Sequence, residues 1–248
     1  MTRNEAALLQ NLPHLQNLIK RDAGSYADEF GQQYAHFCSA WTLLDMQGGE
    51  GGESHLEALV MFLAHTVPFF KKTAAAEYPE TLLRRLEDLD RVAQMSGSLR
   101  KTLVQAALLL KREKMVTLER LVPVLFRLLR LPDKQVRELV RTFLVQDLKR
   151  ANTPNLNISL NKTVIGYLEE FLAASDNLDE GMASAAVQSL NIMIALHRKG
   201  IWTDARTVNI VAASGLNERN LKLAVLSLNF LIGVSDSNSD EDGSDDDS

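Results

Sequence analysis

Residues 121–137 read LVPVLFRLLRLPDKQVR and carry the strongest structural signal of the chain. The first part is an apolar helical stretch that contains Pro123, and Pro132-Asp133 then forms a tight turn. Asp133 is placed to cap a second helix, which opens with the aliphatic Val136 followed by the basic Arg137. The stretch therefore predicts two helices joined by a short turn, and no convincing alternating pattern of a β-strand occurs elsewhere in the chain.

The same opening recurs along the chain at fairly regular distances. An aliphatic residue follows a capping or turn segment at Leu99, Val136, Met182 and Leu221, which lie 37, 46 and 39 residues apart. A helix pair that repeats about every 40–47 residues resembles a HEAT repeat, which must stack on its neighbours to bury its apolar face. The alternative is a set of unrelated capped helices that are evenly spaced.

We therefore predict an all-α fold: an α-solenoid of HEAT/armadillo-like helix pairs over residues 1–234, followed by a disordered acidic C-terminal tail over residues 235–248. The tail reads SDSNSDEDGSDDDS and has no apolar residue to bury. We expect the natural protein to continue beyond this tail. Ser237, Ser239 and Ser244 each stand three residues before an Asp, so they are candidate phosphorylation sites, unless the tail is a solubilising spacer.

The sequence contains no recognisable motif for catalysis. Five histidines show no i,i+4 pair, the glycines form no nucleotide-binding fingerprint, and no GxSxG elbow occurs. We therefore expect no catalytic residue, no metal, no cofactor and no small-molecule substrate. The longest apolar stretch falls short of the roughly 20 residues of a membrane span. Cys38, the single cysteine, lies in an aromatic helical stripe, so we predict a buried thiol.

Charge is distributed unevenly along the chain. Residues 98–150, the basic middle, carry 13 basic and 5 acidic residues although the whole chain has a net charge of −5. Basic surfaces attract phosphate backbones, so the middle is a candidate contact to RNA or to an acidic protein. A solvated helix face and an internal landing site for the tail are the alternatives. Its aromatic residues, Phe126 and Phe143, lie on apolar faces, so base stacking is not indicated there. The candidate contacts are Arg120 and Arg127, seven residues apart on the first predicted helix, and Arg137 and Arg141, four residues apart on the second.

Three segments make the chain similar to the SDA family, named for severe depolymerisation of actin. They are LQNLIKRDAGSYADEFGQQY (residues 15–34), RKGIWTDARTV (198–208) and FLIG (230–233), the last of which runs into an acidic stretch. The resemblance implies a non-enzymatic, helical factor of the nucleus and nucleolus that joins precursor particles of the large (60S) ribosomal subunit and supports their maturation and export. The family is also linked to actin organisation, and its members are longer than this chain.

The resemblance also implies partners and places two further residues. The expected partner is the precursor large-subunit particle, through its proteins and its rRNA, with no membrane contact and a monomeric chain outside the particle. Lys20 and Arg21, in the first segment, join the candidate rRNA or partner contacts, although a structural role is equally open. Trp202 is predicted to pack at a corner where Thr203 or Asp204 caps the next helix.

Two other functions remain as alternatives. A nuclear transport adaptor of the importin type is also an α-solenoid, but it would bind cargo through acidic inner faces, and the basic middle argues against this. A helical regulatory enzyme is a remote alternative because the search for catalytic motifs finds none.

Overall fold

A computed structural model describes residues 3–47, 53–174 and 179–233, which form helices joined by turns and contain no β-strand. Two short 3-10 helices, Val67–Phe69 and Ala74–Glu77, connect α3 to α4. The all-α class is thus confirmed, whereas the predicted disordered tail lies outside the described residues. The α-helices are α1 (Arg3–Arg21), α2 (Ala27–Gln47), α3 (Glu53–Thr66), α4 (Tyr78–Glu87), α5 (Leu89–Gln94), α6 (Gly97–Arg112), α7 (Leu118–Leu128), α8 (Lys134–Ala151), α9 (Ile158–Ala173), α10 (Glu180–Arg198), α11 (Ala205–Ser214) and α12 (Leu221–Leu231).

The predicted repeat openings coincide with the starts of α6, α8, α10 and α12. The side chains of Ser96, Asp133 and Asp179 each accept a hydrogen bond from a backbone N–H two or three residues later, at 2.9–3.2 Å. Such bonds satisfy N–H groups that have no partner at a helix start. At α12 the preceding residue, Asn220, makes no side-chain capping bond.

The chain divides into two compact units, Met1–Leu144 and Val145–Ser248. In the first unit, α3 packs between α1 and α6, while α2 packs on α3 and α4 packs on α6 and α7. In the second unit, α10 packs against α9, α11 and α12. Within each unit, helices from successive pairs therefore lie side by side, as stacking of HEAT-like pairs requires. None of the described helices is long and apolar enough to cross a membrane.

Aromatic side chains of α2 and α4 pack together in the first unit. Phe37 and Trp41 of α2 are buried, and Phe37 meets the ring of the fully buried Tyr78 edge-on at 5.3 Å. The Tyr78 hydroxyl donates a hydrogen bond to the Val60 carbonyl at 2.8 Å, and burial raises the pKa of this phenol. Cys38 is exposed, so the predicted buried thiol is wrong. It follows Phe37 by one residue, which turns it about 100° round the helix and off the buried stripe.

Asp133 joins two consecutive helix pairs. Besides capping α8, its carboxylate accepts a hydrogen bond from Arg100 Nε at 3.0 Å, and only 10% of its side chain is exposed. Arg100 Nη1 also donates to the carbonyls of Ala93 and Met95, both at 3.1 Å. Burial opposes ionisation of Asp133, but the Val136 backbone N–H and the Arg100 guanidinium outweigh it and hold the pKa of this carboxyl below its usual value.

We predict that Asp133→Asn lowers the free energy of unfolding by about 1–3 kcal/mol at neutral pH, because the amide keeps the cap but loses the charge facing Arg100. A depressed folded-state pKa stabilises the fold fully above the unfolded pKa, and this stabilisation is lost as the pH falls through the folded pKa. Urea denaturation should therefore show a constant difference in the free energy of unfolding between wild type and Asp133→Asn down to about pH 5, and a shrinking difference below about pH 4. The control Asp90→Asn, at an exposed carboxylate of α5, should change stability by less than about 0.5 kcal/mol.

Gly215 lies where α11 and α12 approach each other closely. A Cβ at this position would lie 2.8 Å from Ser227 Oγ and 3.1 Å from the Ala212 carbonyl oxygen. Ser227 is buried, and its hydroxyl donates a hydrogen bond to the Val211 carbonyl at 2.6 Å. Glycine therefore leaves the room that this hydrogen bond between the two helices needs.

Substitution by alanine should change the stability in opposite directions at two glycines of the second unit. Gly215→Ala should destabilise the chain by about 1–3 kcal/mol because the added methyl overpacks the contact with Ser227. Gly166→Ala, on the exposed side of α9 with nothing within 4 Å of the added Cβ, should stabilise it by about 0.5–1 kcal/mol. Thermal denaturation of both variants measures this, and shifts in the same direction would contradict the close approach at Gly215.

Candidate functional site

Arg120 of α7 forms two ion pairs with α4. Its guanidinium pairs with Glu80 at 2.8 Å and with Glu87 at 2.6 Å. Hydrogen bonds to these two carboxylates raise the pKa of Arg120, and the contact with Arg120 holds the pKa of Glu80 below its usual value. A guanidinium shared by two carboxylates offers little net charge to a partner. The structure thus gives this predicted contact residue a part in helix–helix packing.

Arg137 has the same internal role as Arg100. Each follows the aliphatic residue that opens the second helix of a pair, Val136 or Leu99. Arg137 Nη1 donates to the Leu131 carbonyl at 2.8 Å, just as Arg100 donates to carbonyls of the turn before α6. Carbonyls at the end of a helix have no partner within that helix. The basic residue at both repeat openings therefore satisfies the end of the preceding segment.

The remaining two arginines of the basic middle differ in their surroundings. Arg141 pairs with Glu138 one turn earlier, with Nη2 and Oε1 2.5 Å apart. Arg127 is exposed and has no ion pair or side-chain hydrogen bond to any described residue. Among the four arginines singled out by the sequence, Arg127 is thus the one whose side chain has no polar partner within the described part of the chain. Their contact with rRNA or a partner remains a prediction.

Lys20 and Arg21 are exposed at the end of α1 and belong to a larger basic surface. His65, in the last turn of α3, lies near Lys20. Burial and the nearby Lys20 ammonium lower the pKa of His65, while Glu113, just after α6, acts in the opposite direction.

The Ser96 N–H and the Ser98 hydroxyl, at the start of α6, donate hydrogen bonds to Glu53 and Glu57, at the start of α3, at 3.3 and 3.0 Å. Because α3 also packs on α6, the two helices run parallel and their C-terminal ends lie side by side. Phe30, in the first turn of α2, stacks on Phe70 just after α3, so the end of α1 lies at the same place and α1 runs parallel to α3 as well.

The loop that follows α3 joins the same surface. Phe70 stacks on Phe30 of α2, with ring centroids 3.9 Å apart, and this contact holds the loop beside the turn that follows α1. Phe69, just before it, is 47% exposed. We define the basic edge as six exposed cations on these three segments: Lys20, Arg21, Lys71, Lys72, Arg112 and Lys114.

The charges of the basic edge are not neutralised within the described residues. None of the six side chains forms an ion pair or a hydrogen bond there. The acids within two residues of these six cations are Asp22 and Glu113. Asp22 accepts hydrogen bonds from the Ser25 N–H and hydroxyl at 3.2 and 2.6 Å, which lower its pKa. The edge therefore carries a surplus of positive charge.

The sequence analysis singled out only Lys20 and Arg21 from this edge. Lys71 and Lys72 lie in a part of the chain with more acids than bases, and Arg112 and Lys114 are unremarkable members of the basic middle. A signal was nevertheless present, because α1, α6, α8 and α10 each have basic residues in the last turn. Where such helices stack in parallel, these residues must come together.

The predicted corner in the second unit is confirmed. Trp202 is buried, Gly200 has a positive φ of 74° after α10 ends, and Asp204 caps α11 by accepting a hydrogen bond at 2.8 Å. Arg206 pairs with Glu169 of α9 at 2.9 Å. The described residues include no cluster of three or more His, Cys, Asp or Glu side chains that could hold a metal ion. Ser237, Ser239 and Ser244 lie outside the described residues, so their phosphorylation stays a prediction.

Comparison with known proteins agrees with the helical repeats. A family model described as "SDA1, HEAT repeat" matches residues 62–248. The Protein SDA1 homolog of Drosophila melanogaster is 34% identical over 230 residues, which cover 93% of this chain and 31% of that protein. The Protein SDA1 homolog of Xenopus tropicalis is 36% identical over 233 residues, covering 93% and 32%. Protein sda1 of Schizosaccharomyces pombe is 28% identical over 247 residues, covering 94% and 34%.

The chain therefore spans about a third of the length of these relatives. The family model covers most of the chain, and its matched region contains the repeat openings at α6, α8, α10 and α12. The chain belongs to the SDA1 family and contains its HEAT-repeat region.

Proposed function

We propose that the chain is a non-enzymatic scaffold of ribosome biogenesis that binds precursor particles of the large ribosomal subunit. It acts in the nucleus and nucleolus, supports maturation and export of these particles, and is monomeric outside them. The observation that carries the proposal is membership in the SDA1 family. The resemblance of residues 15–34 and 198–208 to that family implies the ribosomal role. Because the chain spans about a third of its relatives, the role proposed for it is to contribute binding surface.

The arrangement of the described residues supports binding more than chemistry. Stacked HEAT pairs present extended surfaces on which a large partner can lie. In the first unit the unpaired charges described above are cationic, at Arg127 and along the basic edge, and these charges suit an rRNA-rich particle. A transport adaptor that binds basic cargo through acidic faces is the second candidate, and the free cations favour it less.

The proposal predicts which RNA accompanies the protein in its own cells. The tagged protein should be purified from nuclear extract, and the co-purifying precursor rRNAs should be quantified by sequencing. We expect strong enrichment of large-subunit precursors over small-subunit precursors. Equal recovery of both would contradict a role specific to the large subunit. Recovery of transport factors without precursor rRNA would favour the adaptor.

The structure also determines which charge reversals are informative in that experiment. Arg137→Glu should lower the free energy of unfolding by about 1–3 kcal/mol because the Leu131 carbonyl loses its donor. Arg127→Glu should change it by less than about 0.5 kcal/mol, since Arg127 has no partner among the described residues. If Arg127 meets an rRNA phosphate, its reversal should reduce recovery of large-subunit precursors about fivefold or more. Urea denaturation of both variants is the control for folding, and unchanged recovery with Arg127→Glu would exclude this arginine as a contact.

A further inference from the structure

We propose that the basic edge, together with Phe69, binds an unpaired strand of RNA. The choice of RNA rests on the proposed function, whereas the surface itself is defined by contacts among α1, α3, α6 and the loop after α3. Helices that pack side by side lie about 8–10 Å apart, so the edge extends on the order of 20 Å across three helix ends. This length matches a few nucleotides of a single strand.

Charge is the first reason for this assignment. Each helix C-terminus contributes about half a negative charge, and three of them meet at the edge. One cation per helix end would neutralise this partial charge. The edge instead carries six cations against Asp22 and Glu113, and the acids that follow these segments are Asp28 and Glu29 in the first turn of α2 and Glu77 just before α4. A surplus beyond what the helix ends require is suited to phosphate groups, whose binding releases counterions.

The exposed aromatic ring is the second reason, and it distinguishes RNA from an acidic protein. Phe70 is buried against Phe30, but its neighbour Phe69 is 47% exposed and stands two residues before Lys71. Sites for unpaired nucleic acid combine cations along the backbone with an aromatic face on which a base stacks. An acidic peptide would be attracted by the cations but has no comparable use for an exposed ring.

The backbone of Lys114 is the third reason. Its φ is +59°, in the left-handed region that favours glycine. The end of α6 is closed by a hydrogen bond from the Met115 N–H to the Leu110 carbonyl at 2.9 Å. The end of α10 is closed in the same way by Ile201 and Leu196 at 3.1 Å, and there the left-handed residue is Gly200. A lysine therefore stands where glycine would fit with less strain, which agrees with a use for its charge.

Binding can be measured with the full chain and a fluorescein-labelled, unstructured RNA of about 12 nucleotides, a length within the usual range of single-strand sites. Fluorescence anisotropy at several salt concentrations gives the affinity and its salt dependence. Lys71→Glu/Lys72→Glu should weaken binding about 20-fold or more near 0.1 M salt and reduce the slope of log K against log salt by about 1.4. The control Lys101→Glu/Lys162→Glu makes the same change of charge at exposed lysines outside the edge and should bind like the wild type.

Two single substitutions test the other reasons. Phe69→Ala should weaken RNA binding about fivefold or more through lost stacking, whereas Leu43→Ala, at an equally exposed apolar residue of α2, should not. Lys114→Gly should raise the thermal midpoint because it relieves the left-handed strain, yet weaken RNA binding about fivefold. A purely structural lysine would change stability without changing affinity.

Several outcomes would overturn the assignment. These are the absence of salt-dependent RNA binding, equal losses in the edge variant and its control, or an unchanged affinity of Phe69→Ala. A labelled poly-glutamate peptide that binds as tightly as the RNA and depends on Lys71 and Lys72 would instead identify an acidic-protein surface. The inference fails separately from the proposed function, because a protein that recovers large-subunit precursors from cells but binds no RNA through this edge contradicts the inference alone.

Discussion

The ion pair between Asp133 and Arg100 links two consecutive helix pairs of the first unit. One oxygen caps α8 and the other receives the Arg100 guanidinium, which also satisfies the ends of the preceding segment through Ala93 and Met95. A single, largely covered carboxylate thus connects the start of one helix pair to the one before it. Because the side chains are largely removed from solvent, neither charge has an alternative partner in water, and losing one leaves the other poorly compensated.

The cations of the chain divide by chemistry into two groups with different roles. One group comprises arginines that pair with a carboxylate of another segment: Arg85, Arg91, Arg100, Arg120 and Arg206. A planar guanidinium has several donors in a fixed geometry and can serve two acceptors at once. The basic edge is mostly lysine, whose flexible, strongly hydrated ammonium costs little to leave in water and adapts to a phosphate. Arg21, Arg112 and Arg127 are nevertheless arginines without a partner among the described residues, so residue type alone does not decide which cations remain available.

Local chemistry explains what could be predicted from the sequence. Caps at Ser96, Asp133 and Asp179 and the corner at Trp202 depend on residues within a few positions, so their signals are visible in the sequence and the helix starts follow. The partners of Arg120 are 40 and 33 residues away, and they are determined by how α4 and α7 rotate against each other. The basic edge is equally non-local, since Lys20, Lys71 and Arg112 meet only because three helices run parallel. The spacing of Arg120 and Arg127 indicates that they share a helix face. It does not indicate that Arg120 pairs with α4, because that contact depends on tertiary packing.

The basic edge combines mobile side chains with a fixed backbone. Lys71 and Lys72 lie between Phe70, which is stacked on Phe30, and Thr73, whose N–H and hydroxyl both donate to the Phe70 carbonyl at 3.1 and 2.9 Å. The loop is therefore ordered before any ligand arrives, and binding need not include the entropic cost of ordering it. Substitutions of charged residues at the exposed ends of packed helices also leave the buried contacts between those helices intact. If RNA binds here, affinity should respond to single changes at Lys71 or Lys72 while stability does not, the opposite of the response expected at Arg100, Arg120 and Arg137.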